Sequence, residues 1–426
     1  MPLSHLYIQN HFLEKRRLLH NAVLSSFIIC TILIIMARPR VLYYVHTYFL
    51  DSCLETLQSI KHHVDIDLLI EVSPDSRKST VFELPETKQF NRLENLKQIL
   101  SPDLWHLFQP YFDNLSSVEV LFFKGKSMIG LDSIKGGFFL GRLIQSRNYD
   151  VVHFDTASGR AISCLFFLKK NQLALTIHDP IPHVGEESLL LDLVRYFYKR
   201  QARSISFYSS YSSGLFKKYN RRLNGRLTQL RLQPYSFIAQ FKQTPIPHRR
   251  FILFFGQLSY YKGIDLLLEA IPKVLHVYPN EHFVIAGKSN GFVIDKKLLD
   301  EYPHHITFID DYLSVEQLSQ LIHASKFVVC PYREATQSGV LMTAFAMGKT
   351  VMATNIGAFR EYISDGINGM LTHPEPLSIA TGIMTMVASD RYLDMEKNIA
   401  SGYSKSDSNH NRNTLMGVYH AMETVN

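Results

Sequence analysis

Phe251–Val274 reads FILFFGQLSYYKGIDLLLEAIPKV. An unbroken apolar run, Phe251–Phe255, stops at Gly256. A run this short, ended by glycine, predicts a strand buried on both faces, as in a parallel sheet. From Ile264 onward the apolar residues recur at helical spacing, which predicts an amphipathic helix. The loop between them holds Gly256, Gln257, Ser259, Lys262 and Gly263. A lysine after a strand, beside glycines and near a helix N-terminus, is well placed to neutralise a diphosphate. Taken alone, such a lysine is more often a solvated turn residue; the surrounding chain decides.

A second stretch, Cys330–Leu371, repeats the arrangement: CPYREATQSGVLMTAFAMGKTVMATNIGAFREYISDGINGML. A strand ends at Cys330, and the polar run Ala335-Thr336-Gln337-Ser338-Gly339 leads into a helix that starts near Val340. Gly339 admits close backbone approach, and the free N–H groups of a helix start suit a phosphate. Ser338 and Gln337 can add side-chain hydrogen bonds. The plain alternative is a helix cap by Thr336 or Ser338. After the next strand, Asn355, Gly357, Arg360 and Glu361 form another loop at the same edge.

From Arg38 onward the whole chain alternates short Val/Ile/Phe runs with helix-length spacers, which predicts an α/β protein with parallel sheets. The first half has candidate strands at Val41–Val45, Ile66–Glu71, Val118–Phe123, Val151–Phe154, Leu173–Ile177 and Ile205–Tyr208. The second has them at Phe251–Phe255, His282–Ala286, Ile306–Ile309, Phe327–Cys330 and Val351–Thr354. Pro234, Pro245 and Pro247 mark a linker. The expected domains are residues 38–240 and 250–385, with a helical segment at 386–426. In open α/β sheets ligands bind beyond the carboxyl ends of the strands. Two such domains face a cleft, one side for each reactant. The first half contributes His178, Asp179 and His183 from Leu175–Glu186, and His46 from the loop after its first strand. His153 and Asp155 close another buried strand.

Composition narrows the class. The chain has 426 residues, 46% hydrophobic and 19% charged, which is globular and too long for one ordinary core. Cys30, Cys53, Cys164 and Cys330 are scattered without metal or disulfide spacing, so no metal site is expected. Leu193–Arg250 carries 13 Lys/Arg and no Asp/Glu, leaving the remainder at −6 (+7 minus +13). Leu193, Tyr196, Phe197 and Tyr198 interleave with those charges, favouring an anionic membrane surface over a solvated face. No nucleic-acid motif accompanies the patch.

Ala22–Ala37 is almost continuously apolar, and the 20 residues from Leu18 carry no formal charge. Residues 1–37 read either as a signal anchor or as an extension upstream of a true start at Met36.

Together the two quoted stretches resemble glycosyltransferase family 4, retaining enzymes of the GT-B fold. The likeness is close over about 250–372 and loose in the first half. The family's G-R-L-S-x-x-K-G loop reads Gly256-Gln257-Leu258-Ser259-Tyr260-Tyr261-Lys262-Gly263, with glutamine in place of arginine. Aligned on Gly348-Lys349, the family's two glutamates fall on Ala335 and Thr343. The ATQSG run resembles a variant found among polysaccharide-assembly enzymes. Gly357 and Glu361 match the family's G-G-x-x-E loop.

The resemblance implies two Rossmann-like domains facing a central cleft. It makes Lys262 and His178 catalytic, and gives Gly256, Gln257, Ser259, Gln337, Ser338, Gly339, Val340, Gly357 and Glu361 to the donor. His46, Asp179 and His183 fall on the acceptor side. The implied donor is a UDP- or GDP-linked sugar, with no cofactor. The implied acceptor is a glycan or lipid-linked glycan at the inner face of the cell membrane. A nucleotide-sugar isomerase of the same build, turning over without an acceptor, and a non-catalytic assembly partner are the alternatives.

Overall fold

The computed structural model describes residues 38–78, 81–87, 90–182, 188–241, 251–289, 292–294, 296–402 and 405–423. Residues 1–37, with their two readings, lie outside the described residues, as does His183. The apolar runs become strands because each is flanked by helices that cover both sheet faces. In chain order the first sheet is β1 (Arg40–His46), β2 (Asp65–Val72), β3 (Leu93–Asn95), β4 (Ser117–Phe122), β5 (Val151–Phe154), β6 (Leu173–Thr176), β7 (Ser204–Phe207) and β8 (Leu227–Gln229). Its spatial order is β3-β4-β2-β1-β5-β6-β7-β8. All pairs are parallel except β3 with β4.

The second sheet comprises β9 (Phe251–Phe255), β10 (Phe283–Ala286), β11 (Ile306–Ile309), β12 (Ser325–Cys330), β13 (Val351–Thr354) and β14 (Gly369–Thr372). It is wholly parallel, in the order β11-β10-β9-β12-β13-β14. That is the doubly wound order, and the direction of winding reverses at β9. In the first sheet the corresponding reversal lies at β1, between β2 and β5. A ligand crevice is expected outside the strand ends at each reversal.

Every strand expected from the sequence is present within a residue or two of its expected bounds. Three further strands, β3, β8 and β14, are short and carry no apolar run: LEN, LTQ and GMLT. Edge position lets them pair on one side only, so they need no two-faced apolar pattern. The last helix, Lys405–Glu423, returns to the first sheet. There Tyr419 Oη meets His153 Nδ1 at 2.6 Å, while His153 Nε2 bonds Thr176 Oγ1 at 2.8 Å. Burial pushes the His153 pKa down to about 3, so this imidazole is a neutral core group.

Candidate functional site

The loops after β9 and β12 flank the winding reversal, and two glycines let them touch. Gly263 has φ +64°, and a Cβ there would stand 2.0 Å from the Pro331 carbonyl oxygen. Gly256 has φ +112°, and a Cβ there would stand 3.0 Å from Lys262 Nζ and 3.2 Å from Val340 Cγ2. Only glycine combines that backbone with that closeness. The bare backbone at Gly256 therefore brings the lysine of one motif beside the helix start of the other.

Lys262 is buried, with its ammonium over the rings of Tyr332 (5.4 Å) and Tyr261 (5.9 Å). Ser338 caps the helix Gly339–Ala346 by accepting from the Leu341 amide at 3.2 Å. The cap fulfils the plain reading of Ser338. It also fixes the helix whose first residues line a cavity of about 370 Å³. That cavity is lined from the second half by Gly256, Gln257, Lys262, Gln337, Ser338, Gly339 and Val340. From the first half come Tyr48, Phe49, Asp51 and Asp179. Lys262 is the only lysine or arginine among the lining residues.

Sequence reading missed Tyr332, Tyr235 and Phe237, which line the same space. Tyr332 Oη is buried with no hydrogen-bond partner among the described residues. Burial holds its phenol well above the usual tyrosine range, so it remains a proton donor beside Lys262. The available signal was its place in a Pro-Tyr turn directly after a strand. Tyr235 comes from the linker and lies within 3.2 Å of where a Gly339 Cβ would be. Its neighbour Ser236 is held by Glu55, which accepts from the Ser236 amide at 2.7 Å and hydroxyl at 2.9 Å.

His178 stands behind the cavity wall. It is buried and stacked on Phe49, with ring centroids 3.8 Å apart. Its Nε2 faces Asp155 Oδ2 at 3.2 Å, and Asp155 Oδ1 accepts from Tyr43 Oη at 2.9 Å. Its Nδ1 meets Gln337 Nε2 at 2.7 Å. The chain Tyr43–Asp155–His178–Gln337 thus runs from the first sheet to the cavity. Burial pulls the His178 pKa down, but Asp155 opposes this by charge and hydrogen bond and carries it above the usual value. The outer oxygen of Gln337, Oε1, is buried and unpartnered among the described residues.

The other expected residues divide. Asp179 is on the wall, and its Oδ1 accepts from Thr336 Oγ1 at 2.5 Å. Ser259 is buried off the wall, with its hydroxyl unpartnered. His46 lies below the wall and accepts from the Tyr48 amide at 3.2 Å. Gly357 packs under the Ala335 carbonyl, where a Cβ would approach to 2.0 Å. Glu361 is held elsewhere: its carboxylate accepts from the amides of Ser210 (2.9 Å) and Tyr211 (2.8 Å), at the N-terminus of the helix Ser210–Tyr219. Arg333 does not replace the arginine missing at Gln257. It is paired with both oxygens of Asp265, at 2.7 and 2.5 Å, and stacks on Tyr260. Thr343, at the second absent glutamate, lines the cavity and donates to the Gly339 carbonyl.

Among the described residues no group of three His, Cys, Asp or Glu side chains is arranged to hold a metal ion. No helix among them is long and apolar enough to cross a membrane.

A family model described as Glycosyl transferases group 1 matches residues 249–389, which include both cavity loops of the second half. An uncharacterized glycosyltransferase of Methanocaldococcus jannaschii is 31% identical over 137 residues, 32% of this chain and 35% of that protein. The match thus spans about a third of that relative's length. A second such protein of the same organism is 24% identical over 260 residues, covering 58% of this chain and 68% of its own. The crystal structure of Anabaena Alr3699/HepE in complex with UDP and glucose superposes with a TM-score of 0.60 at 15% identity, over 89% of this chain and all of that one. The fold is GT-B.

Proposed function

We propose that this chain, whose second half carries a glycosyl transferases group 1 domain, moves a sugar from a nucleotide diphosphate to a glycan or lipid-linked glycan. One observation carries the reading. Lys262, the unpartnered Tyr332 hydroxyl and the helix start at Ser338–Val340 converge on a single cavity at the winding reversal. A cation, a neutral donor and backbone N–H groups suit a diphosphate whose negative charge grows as it leaves. UDP is the preferred nucleotide, since Alr3699/HepE, of the same fold, was crystallised in complex with UDP and glucose, and GDP is the alternative.

The reaction is a retaining one. The acceptor hydroxyl oxygen bonds the anomeric carbon on the face from which the diphosphate departs. The carbon–oxygen bond to the diphosphate breaks, and its electron pair goes to the phosphate oxygen. That oxygen takes the acceptor proton. Lys262, Tyr332 and the helix amides stabilise the departing charge, and Gln337 Oε1 accepts from a sugar hydroxyl. His178 acts through Gln337, as a positioning residue. The scheme uses the nucleotide sugar as substrate and calls on no cofactor or metal. The basic segment 193–250 supports a position on the inner leaflet of the cell membrane, where a role in polysaccharide assembly is proposed.

A panel of UDP- and GDP-sugars, assayed for binding and for nucleotide release with membrane extracts, tests the reading. Tight binding of one nucleotide class and acceptor-dependent release are expected. Binding without release under any acceptor would instead leave a non-catalytic partner. Acceptor-independent conversion of the sugar would make it an isomerase.

A further inference from the structure

A second, small cavity, of about 40 Å³, opens at the carboxyl ends of β5 and β6. It adjoins the first, since Phe49 and Asp179 line both. Arg195 and Lys199 also line it. They lie one turn apart on the helix Leu189–Gln201, on the face that buries Val194 and Tyr198. Asp192 meets Arg195 at 3.5 Å, on the exposed side. Burial, then the charge of Arg195, holds the Lys199 ammonium below its ordinary range, and an anion in the cavity would relieve both.

The opposite face of this helix is apolar and open to solvent. Leu189 is 91% exposed, and Leu190, Leu193, Tyr196 and Phe197 are about half exposed. These residues recur at one, four, seven and eight positions from Leu189, so they form one stripe. Gln201 ties the helix to Leu165, next to the 86%-exposed Phe166. Arg226 bonds the carbonyls of Arg200 and Ala202, which brings the basic turn Arg221–Arg226 to the end of the stripe. An exposed apolar stripe bordered by cations matches an anionic lipid surface rather than water.

We propose that the cavity beneath Leu189–Gln201 is an acceptor subsite for the phosphate of a phosphorylated lipid, held by Arg195 and Lys199 while the outer face of the helix rests on the membrane. The inference rests on the transferase reading and names the acceptor class for it. The two cations sit between the lipid surface and the wall shared with the larger cavity. A lipid phosphate held there sets its attached sugar beside Asp179, toward the nucleotide sugar.

The test uses the full chain and three vesicle types: neutral phosphatidylcholine, the same with 20 mol% (about one lipid in five) phosphatidylglycerol, and the same with a few mol% polyprenyl monophosphate. Flotation is read for wild type, Arg195→Gln/Lys199→Gln and Leu193→Ser/Phe197→Ser, and binding of UDP and GDP is measured for each. The wild type is expected to bind polyprenyl-phosphate vesicles at least ~10-fold more tightly than neutral ones. The cation pair variant is expected to lose that preference while keeping binding to phosphatidylglycerol. The apolar-face variant is expected to lose both. Inorganic pyrophosphate in solution should compete only weakly, because the lipid is held by two contacts. Full competition would assign the cavity to a free anion and overturn the lipid assignment. An unchanged preference in the cation variant would overturn the subsite. Lys199→Met alone repeats the test if the double variant fails to fold. Absent binding of both UDP and GDP in the wild type would count against the transferase reading, whereas normal nucleotide binding without lipid preference would count against this subsite alone.

Discussion

Replacing Lys262 by methionine removes one charge and keeps most of the stem that lies against Tyr261 and Tyr332. Among the described residues no other lysine or arginine lines the cavity to take over its charge. A unit charge about 4 Å from a phosphate oxygen, at an effective dielectric of about 20, is worth roughly 4 kcal/mol. Loss of one oxyanion donor in other enzymes costs roughly 2.7–4 kcal/mol, or ~10²- to 10³-fold in kcat. Both routes give a fall of at least ~100-fold in turnover. The loss should fall on the diphosphate, so UDP affinity drops while uridine affinity does not. Folded stability should change by no more than about 1 kcal/mol, since removing a buried cation also removes its desolvation cost. Single-turnover nucleotide release, calorimetric titration of UDP and uridine, and thermal melting read the three quantities. Turnover within threefold of wild type, or equal weakening of UDP and uridine, would refute the assignment of Lys262 to the leaving group.

Gly256→Ala sets a methyl 3.0 Å from Lys262 Nζ on a backbone at φ +112°. It should cost about 1–3 kcal/mol in stability and displace the ammonium, weakening UDP more than uridine. Glu361→Gln removes the charge that caps Ser210–Tyr219, so a melt should show a loss of about 1 kcal/mol. UDP and uridine should weaken alike, because the change loosens a contact between the halves and leaves the diphosphate's partners in place. Glu55 is raised from 4.5 to about 7, by burial against the opposing hydrogen bonds from Ser236 and Tyr111. Its folded form therefore favours the bound proton. The stability it contributes is complete below about pH 4.5 and is lost as the pH rises through about 7. At 1.36 kcal/mol per unit this amounts to roughly 3 kcal/mol. Denaturant unfolding at pH 5 and pH 8 should show that difference in the wild type and a smaller one in Glu55→Gln.

The sheets were legible because buried parallel strands write themselves as apolar runs, as Phe251–Phe255 and Val151–Phe154 do. The cavity loops were legible from the two stretches taken together, since a lone lysine between strand and helix is more often a solvated turn residue. What the sequence hid was which partner each polar group would find across the cleft. Glu361 and His178 are the clearest cases. Glu361 lies in the short helix Phe359–Tyr362 beyond its strand and caps a helix of the other half, while His178, just past its strand end, is packed against Phe49, Asp155 and Gln337. Those partners are distant in the chain, and local spacing carries no record of them. Tyr332 was hidden for the opposite reason. A buried tyrosine usually finds a partner, and only the fold reveals one whose hydroxyl has none among the described residues.

These distant partners share one consequence. The loop Ala335–Ser338, where the resemblance would set the first glutamate at Ala335, is held by the first half of the chain. Thr336 donates to Asp179 and its carbonyl accepts from Ser209 and Ser212 at 2.7 and 3.0 Å, while Gln337 bonds His178. Ser338 and Gly339 follow directly and line the cavity. The shape of this loop therefore depends on contacts between the two halves. A donor that binds this shape must favour closure by the same free energy with which closure favours the donor. The polar contacts across the cleft and the diphosphate site are then two ends of one equilibrium. That is why a carboxylate such as Glu361, remote from the leaving group, is expected to govern affinity without touching the nucleotide.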